Sequence, residues 1–224
     1  ASGMKSQQTS LDTISNNLAN INTTGYKKER TEFQSLLYQT IQEKTTDHEG
    51  NPKPIGAQVG LGVKVSAVST EFEQGELTAS TGDFDFAIQG NGFFMIEMPD
   101  GTTGYTRNGN FLMAINPNGG TTLTTADGYS VLDSNGKAIT FDAATDTTRL
   151  SFDNYGNIFY KNAQGVIQPT GVRIGAAQFN NPSGLTKLGD SYFAESAASG
   201  NARIEGQDAA LSVSVIKNGY LEAY

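Results

Sequence analysis

SLDTISNNLANINTTGYK, residues 10 to 27, carries Leu11, Ile14, Leu18 and Ile21 at alternating three- and four-residue spacing, the repeat of a helix with one narrow apolar seam. Met4 extends the series by another heptad, and Gln7 interrupts it. The opposite face is unusual. From Ser6 to Tyr26 the only charged side chain is Asp12, and Asn16, Asn17 and Asn20 stand where a water-facing helix carries Lys and Glu. Asparagine is also a poor helix former, so a polar but uncharged face is not what a solvent-facing helix usually carries.

Downstream of this stretch, Gly25 stands where a left-handed cap would end the helix. Thr31 and Gln34 then have capping-box spacing for a second helix over residues 32 to 42, burying Phe33, Leu36, Leu37 and Ile41. Residues 43 to 60, EKTTDHEGNPKPIGAQVG, combine charge, proline and glycine and read as a long exposed arm. From Val63 the period changes to two. Val63, Val65 and Ala67 alternate with Lys64, Ser66 and Val68, and Phe84, Phe86 and Ile88 with Asp83, Asp85 and Ala87. Turn dipeptides follow at Asp100-Gly101, Asn108-Gly109, Asn118-Gly119, Asp127-Gly128, Asn135-Gly136 and Asn218-Gly219, each suited to a tight hairpin. The expected class is α+β: a helical, coiled-coil-type segment over 1–42, an extended arm over 43–60, and a hairpin-rich, mainly antiparallel β domain over 61–224.

Composition narrows the function. With 37% hydrophobic and 17% charged residues, 26 glycines and a net charge of -8, the chain is poorly suited to gripping a phosphate backbone. It has no cysteine, no apolar run near the ~18 residues of a membrane helix, and no signal-peptide pattern. The lone histidine, His48, has no second imidazole or thiolate with which to build a zinc site. The glycines of QGNGFF (89–94) lack the third glycine and following helix of a dinucleotide loop, so they read as a bend. Asp83 with Asp85, and Asp142 with Asp146, lack calcium-loop spacing, and no serine has a triad partner. No catalytic, cofactor or metal site is expected. Tyr105, Tyr129, Tyr155 and Tyr160 leave open a secreted β-rich module that binds or modifies carbohydrate.

A seam helix is marginal by itself, and no later segment offers a second heptad series, so its partner lies outside these residues or on another copy. At this point a resemblance enters. SLDTISNNLANINTTGYKKER (10–30) resembles the N-terminal signature of the bacterial flagellar axial proteins, the rod and hook subunits. FQSLLYQTI (33–41) and DFDFAIQGNGFFMIEMPDGTTGYTRNGNF (83–111) are similar within that family to distal rod members, with proximal rod and hook subunits as alternatives. NGYLEA (218–223) resembles the junction at which such subunits enter a long C-terminal helix. The resemblance implies a non-enzymatic, self-polymerising subunit of a torque-transmitting tube that also walls an export channel. It implies contacts with neighbouring axial proteins and basal-body rings, and type III export without a cleaved signal peptide to an extracytoplasmic, periplasm-spanning rod. It leaves no part for nucleic acid or membrane insertion. Leu11, Ile14, Leu18 and Ile21 would then bury against a C-terminal helix, and Asn16, Asn17 and Asn20 would face neighbouring subunits.

Overall fold

The computed structural model describes residues 2–36, 38–40, 58–60, 62–189 and 191–223. By its contacts the chain divides into two compact units, Ala1–Ala19 with Lys28–Glu71, and Asn20–Lys27 with Phe72–Tyr224. These units cut across the linear boundaries expected at residues 42 and 60.

The first unit holds helix α1 (Ser2–Ala19) and strands β1 (Glu29–Ser35), β2 (Tyr38–Thr40), β3 (Gln58–Gly60) and β4 (Val63–Thr70). The seam stretch is helical as expected, although the helix ends at Ala19, so Ile21 lies in the turn beyond it. The second helix is not formed. Residues 29–35 are a strand, paired antiparallel with β4 from Glu29↔Thr70 to Ser35↔Val63, with one register shift between Glu32 and Phe33. A one-box helix of about eleven residues is marginal alone. By contrast, Thr31 and Phe33 face Val68 and Val65 across a ladder, where β-branched and aromatic side chains pack well. Phe33 is accordingly exposed rather than in a helical core, and Leu36 is half-buried. Leu37, Ile41, His48 and the arm up to residue 57 lie outside the described residues. Strands β2 and β3, on either side of that arm, pair antiparallel from Tyr38↔Gly60 to Thr40↔Gln58.

The second unit begins with β5 (Glu76–Ala79), β6 (Phe86–Gln89), β7 (Phe93–Glu97), β8 (Thr103–Thr106), β9 (Phe111–Ile115) and β10 (Thr121–Thr125). It continues with β11 (Thr140–Phe141), β12 (Leu150–Phe152), β13 (Asn157–Lys161), β14 (Ile167–Arg173) and β15 (Ala176–Gln178). The last strands are β16 (Thr186–Lys187), β17 (Phe193–Ala194), β18 (Arg203–Ile204), β19 (Val215–Asn218) and β20 (Tyr220–Ala223). Its largest sheet runs β16-β17-β8-β7-β15-β18, beside three-stranded sheets β11-β10-β9 and β12-β13-β14. All these ladders are antiparallel.

Strand β7 explains the packing. Its FFMI run is buried on both faces: Phe94 and Ile96 enter one cluster with Phe86, Ile88, Phe111, Leu123 and Ile216. Phe93 and Met95 enter a second with Tyr105, Leu132 and Phe179. Strand β6 is likewise buried on both sides, Ala87 included, so its residues do not split into an inner and an outer face.

Two turn dipeptides have other roles than hairpins. A Cβ at Gly109 would stand 1.8 Å from the Phe86 carbonyl oxygen, so this glycine serves close backbone approach. At Asn218-Gly219 the chain does not reverse. β19 pairs with β6 and β20 pairs with β5, and Gly219, at φ 79°, is the break between two ladders laid along one extended segment.

Candidate functional site

Helix α1 presents two faces of different chemistry. On one, short side chains bond within the first unit. Asn17 Nδ2 donates to the Glu29 carbonyl (2.8 Å), and its Oδ1 accepts from the Glu29 N–H (2.9 Å). Thr31 Oγ1 donates to Thr13 Oγ1 (2.9 Å), and Ser6 is buried close to the Val63 carbonyl. Ser6, Thr13 and Asn17 share a face by their spacing of seven and four. Part of the uncharged polar surface is therefore satisfied by the chain's own ribbon of β1 and β4. Asn20 Oδ1 accepts from Thr23 Oγ1 (3.2 Å) at the turn that follows the helix, and Asn16 is exposed.

On the other face, Met4, Leu11, Ile14 and Leu18 are 78%, 60%, 57% and 68% exposed. Ile21, just past the helix end, is 54% exposed. Large apolar side chains repeating along one helix stripe in water form the kind of contiguous patch that marks an association surface.

A second arrangement, wholly inside the second unit, escaped sequence reasoning. Lys27, Arg107 and Glu222 meet with side chains 1%, 5% and 1% exposed. Lys27 Nζ donates to Glu222 Oε1 at 2.7 Å and Arg107 Nε to Glu222 Oε2 at 2.8 Å. The Gly75 N–H (2.7 Å) and Gln74 Nε2 (3.1 Å) also donate to Oε1. Burial alone would push the Glu222 carboxyl up, but the charges and hydrogen bonds of Arg107 and Lys27 outweigh it and hold it below the usual carboxylate range. For Lys27, burial outweighs the attraction of Glu222, and its ammonium is pushed below the usual lysine range. The sequence did hold a signal. Arg107 is the only Lys or Arg between Lys64 and Lys137, and all three residues stand in the quoted stretches 10–30, 83–111 and 218–223.

The remaining candidates are spent locally. Asp142 accepts from the Ala144 N–H and the Thr145 hydroxyl, and Asp146 from the Thr148 N–H and hydroxyl. Asp85 is buried and bonded to the Ser80 hydroxyl, whereas Asp83 is exposed. Residues 90–92 form the bend between β6 and β7. The tyrosines do not line one cleft: Tyr105 packs on Phe179 in the second cluster, Tyr129 stands beside Tyr192 against the first, and Tyr155 is exposed. Among the described residues, no helix is long and apolar enough to cross a membrane, and no three His, Cys, Asp or Glu are grouped to hold a metal.

Comparison with known proteins gives matches at both regions. Residues 87–160 match the family model described as the flagellar hook protein FlgE/F/G D1 domain, and residues 1–27 match that of the flagella basal body rod protein. The flagellar basal-body rod protein FlgG of Agrobacterium fabrum is 40% identical over an alignment of 226 positions, covering 99% of this chain and 81% of that protein. FlgG of Caulobacter vibrioides is 42% identical over 207, covering 91% and 75%. The flagellar hook protein FlgE of Helicobacter mustelae is 42% identical over 135, covering 58% of this chain and 28% of that protein.

Proposed function

The chain belongs to the flagellar basal-body rod protein family, and on that premise we propose that it polymerises into the distal rod, a drive shaft carrying torque to the hook and walling part of the export channel. It is a structural rod subunit located in the flagellar basal body. The observation that carries the assembly reading is the exposed stripe of Met4, Leu11, Ile14 and Leu18 on α1; Ile21, beyond the helix end, is exposed as well. In the polymer this stripe buries against helices of the assembly. Each fully buried leucine or isoleucine would then contribute about 1.5–3 kcal/mol that the isolated chain forgoes. Asn16 and Asn20 face neighbouring subunits, and Asn17 adds to that surface only what its pairing with Glu29 leaves over.

The same reading makes the subunit non-enzymatic and free of cofactors. Its partners are copies of itself, the adjoining proximal rod and hook proteins, and the surrounding ring proteins, with no nucleic acid and no membrane insertion. It reaches an extracytoplasmic rod crossing the periplasm through type III export without a cleaved signal peptide. By role along the chain, residues 1–42 are its polymerisation segment, 43–60 its arm to an axial neighbour, and 61–224 its outer domain, although β4 pairs with β1 and residues 20–27 group with the second unit. The test is to express the subunit and follow assembly by electron microscopy, with Leu18→Asp as the contrast. Filaments from the parent and none from the variant are expected, because a carboxylate would have to be buried in the seam. Filaments from both would refute the seam.

A further inference from the structure

The Lys27, Arg107 and Glu222 cluster joins three stretches distant in sequence, and they depend on one another unequally. All five N–H donors of Arg107 are used. Nε donates to Glu222, Nη1 to the Gly90 and Gly92 carbonyls, and Nη2 to the Ile88 carbonyl (3.0 Å) and Gln74 Oε1 (3.1 Å). Three of those acceptors are backbone of β6 and the bend after it, so Arg107 is held by the sheet whether or not Glu222 is present. Glu222 meets a cation already in position, on a strand also paired with β5 from Tyr220↔Ala79 to Ala223↔Glu76.

Residues 20–27 are held differently. The Lys27 ammonium donates to Glu222 Oε1 and the Glu73 carbonyl (both 2.7 Å), and the Gly25 N–H donates to the Glu222 carbonyl oxygen (3.1 Å). Glu222 supplies two of these three acceptors, and Tyr26 adds a buried ring with the Lys187 ammonium 5.6 Å from its centre. Without Glu222, Lys27 would enter a desolvated site beside the Arg107 guanidinium with no anion between them. Like charges in a buried site are strongly unfavourable.

We infer that the C-terminal strand is a precondition for docking residues 20–27: Glu222, once received by Arg107, completes the socket that Lys27 enters. Charge imposes the order Arg107, Glu222, Lys27. A subunit in which β20 is not yet in place therefore lacks the carboxylate that seats Lys27. The coupling is reciprocal, as linkage requires, but its consequences are unequal, because β20 retains Arg107 and the β5 ladder when Lys27 is lost.

Hydrogen exchange followed by mass spectrometry on the monomeric chain tests this order, independently of whether the polymer forms. Glu222→Gln is expected to speed exchange at residues 20–27 by at least roughly tenfold, with the β6 to β10 core unchanged. Lys27→Met is expected to release 20–27 while 220–223 stay protected. The inference is overturned if Glu222→Gln leaves 20–27 protected, or if Lys27→Met releases 220–223 as fully as 20–27. Should Glu222→Gln fail to fold, Glu222→Asp serves, since it keeps the charge but withdraws it from Lys27. Faster exchange at 20–27 than at 220–223 supports the order, and equal acceleration overturns it.

Discussion

The two units of this chain bury themselves to very different degrees. In the second unit, β7 is covered on both faces, and Phe86, Ile88, Phe94, Ile96 and Leu123 are fully removed from water. In the first, Ser6 is the one buried residue among those described, while Phe33, Val63 and Val68 stay exposed alongside the α1 stripe. One unit carries its own core. Among its described residues the other is a helix and ribbons held by hydrogen bonds such as those of Asn17 and Thr13, with these large apolar side chains open to water. On the proposed assembly, self-sufficiency and dependence on neighbours fall on separate stretches of chain.

The contrast can be broken most forcefully in the core. Phe94→Ala removes a ring packed on Phe111 at 5.0 Å and is expected to cost about 3–5 kcal/mol in denaturant unfolding of the monomer. A loss below about 1 kcal/mol would mean that the second unit does not depend on that core.

Alkali should act on the same unit. Burial first, and then the charge of Glu195, pushes the Tyr105 hydroxyl up from 10 to about 12. The neutral form is favoured in the folded chain, so this contribution is complete below pH 10 and is lost as pH rises from 10 towards 12. Thermal melts between pH 9 and about 12 should show that decline, and Tyr105→Phe should flatten it.

A smaller effect is expected at the break in the C-terminal segment. Gly219→Ala forces a side chain into φ 79°, with the nearest contact to the added Cβ an ordinary 3.9 Å, so a loss of about 1 kcal/mol should appear as a lower melting temperature. The smallest change in monomer stability belongs to Leu18→Asp, within about 0.5 kcal/mol, because the site is open to water. That same variant is expected to abolish filaments. If it destabilised the monomer by several kcal/mol, the stripe would have an intrachain partner and the contrast between the units would collapse.

Much of this was legible in the sequence, for identifiable reasons. The α1 seam and the sequence alternation of β4 and β6 marked a helix and two strands, although the alternation does not sort β6 into an inner and an outer face. Residues 29–35 misled because a local capping box competes with a long-range ladder, and only the ladder's partner, some thirty residues on, decides the outcome. Asn17 was half legible: its face had to meet something other than water, but nothing in the spacing shows that Glu29 of the same chain takes the amide. The Lys27, Arg107 and Glu222 cluster was missed because its members lie at separations of 80 and 115 residues, where no periodic signal reaches. The isolation of Arg107 among acids was the one local clue.

The continuous lay of β19 and β20 across β6 and β5 has a mechanical meaning. A strand drawn lengthwise from its C-terminal end strains both ladders and the Arg107 anchor together, in shear, instead of opening one hydrogen bond after another as peeling would. A pull along the strand at residue 223 should therefore meet a higher rupture force in an optical trap than a pull across it. Under such a lengthwise pull, the direction of β20 makes it a tendon fixed along its length.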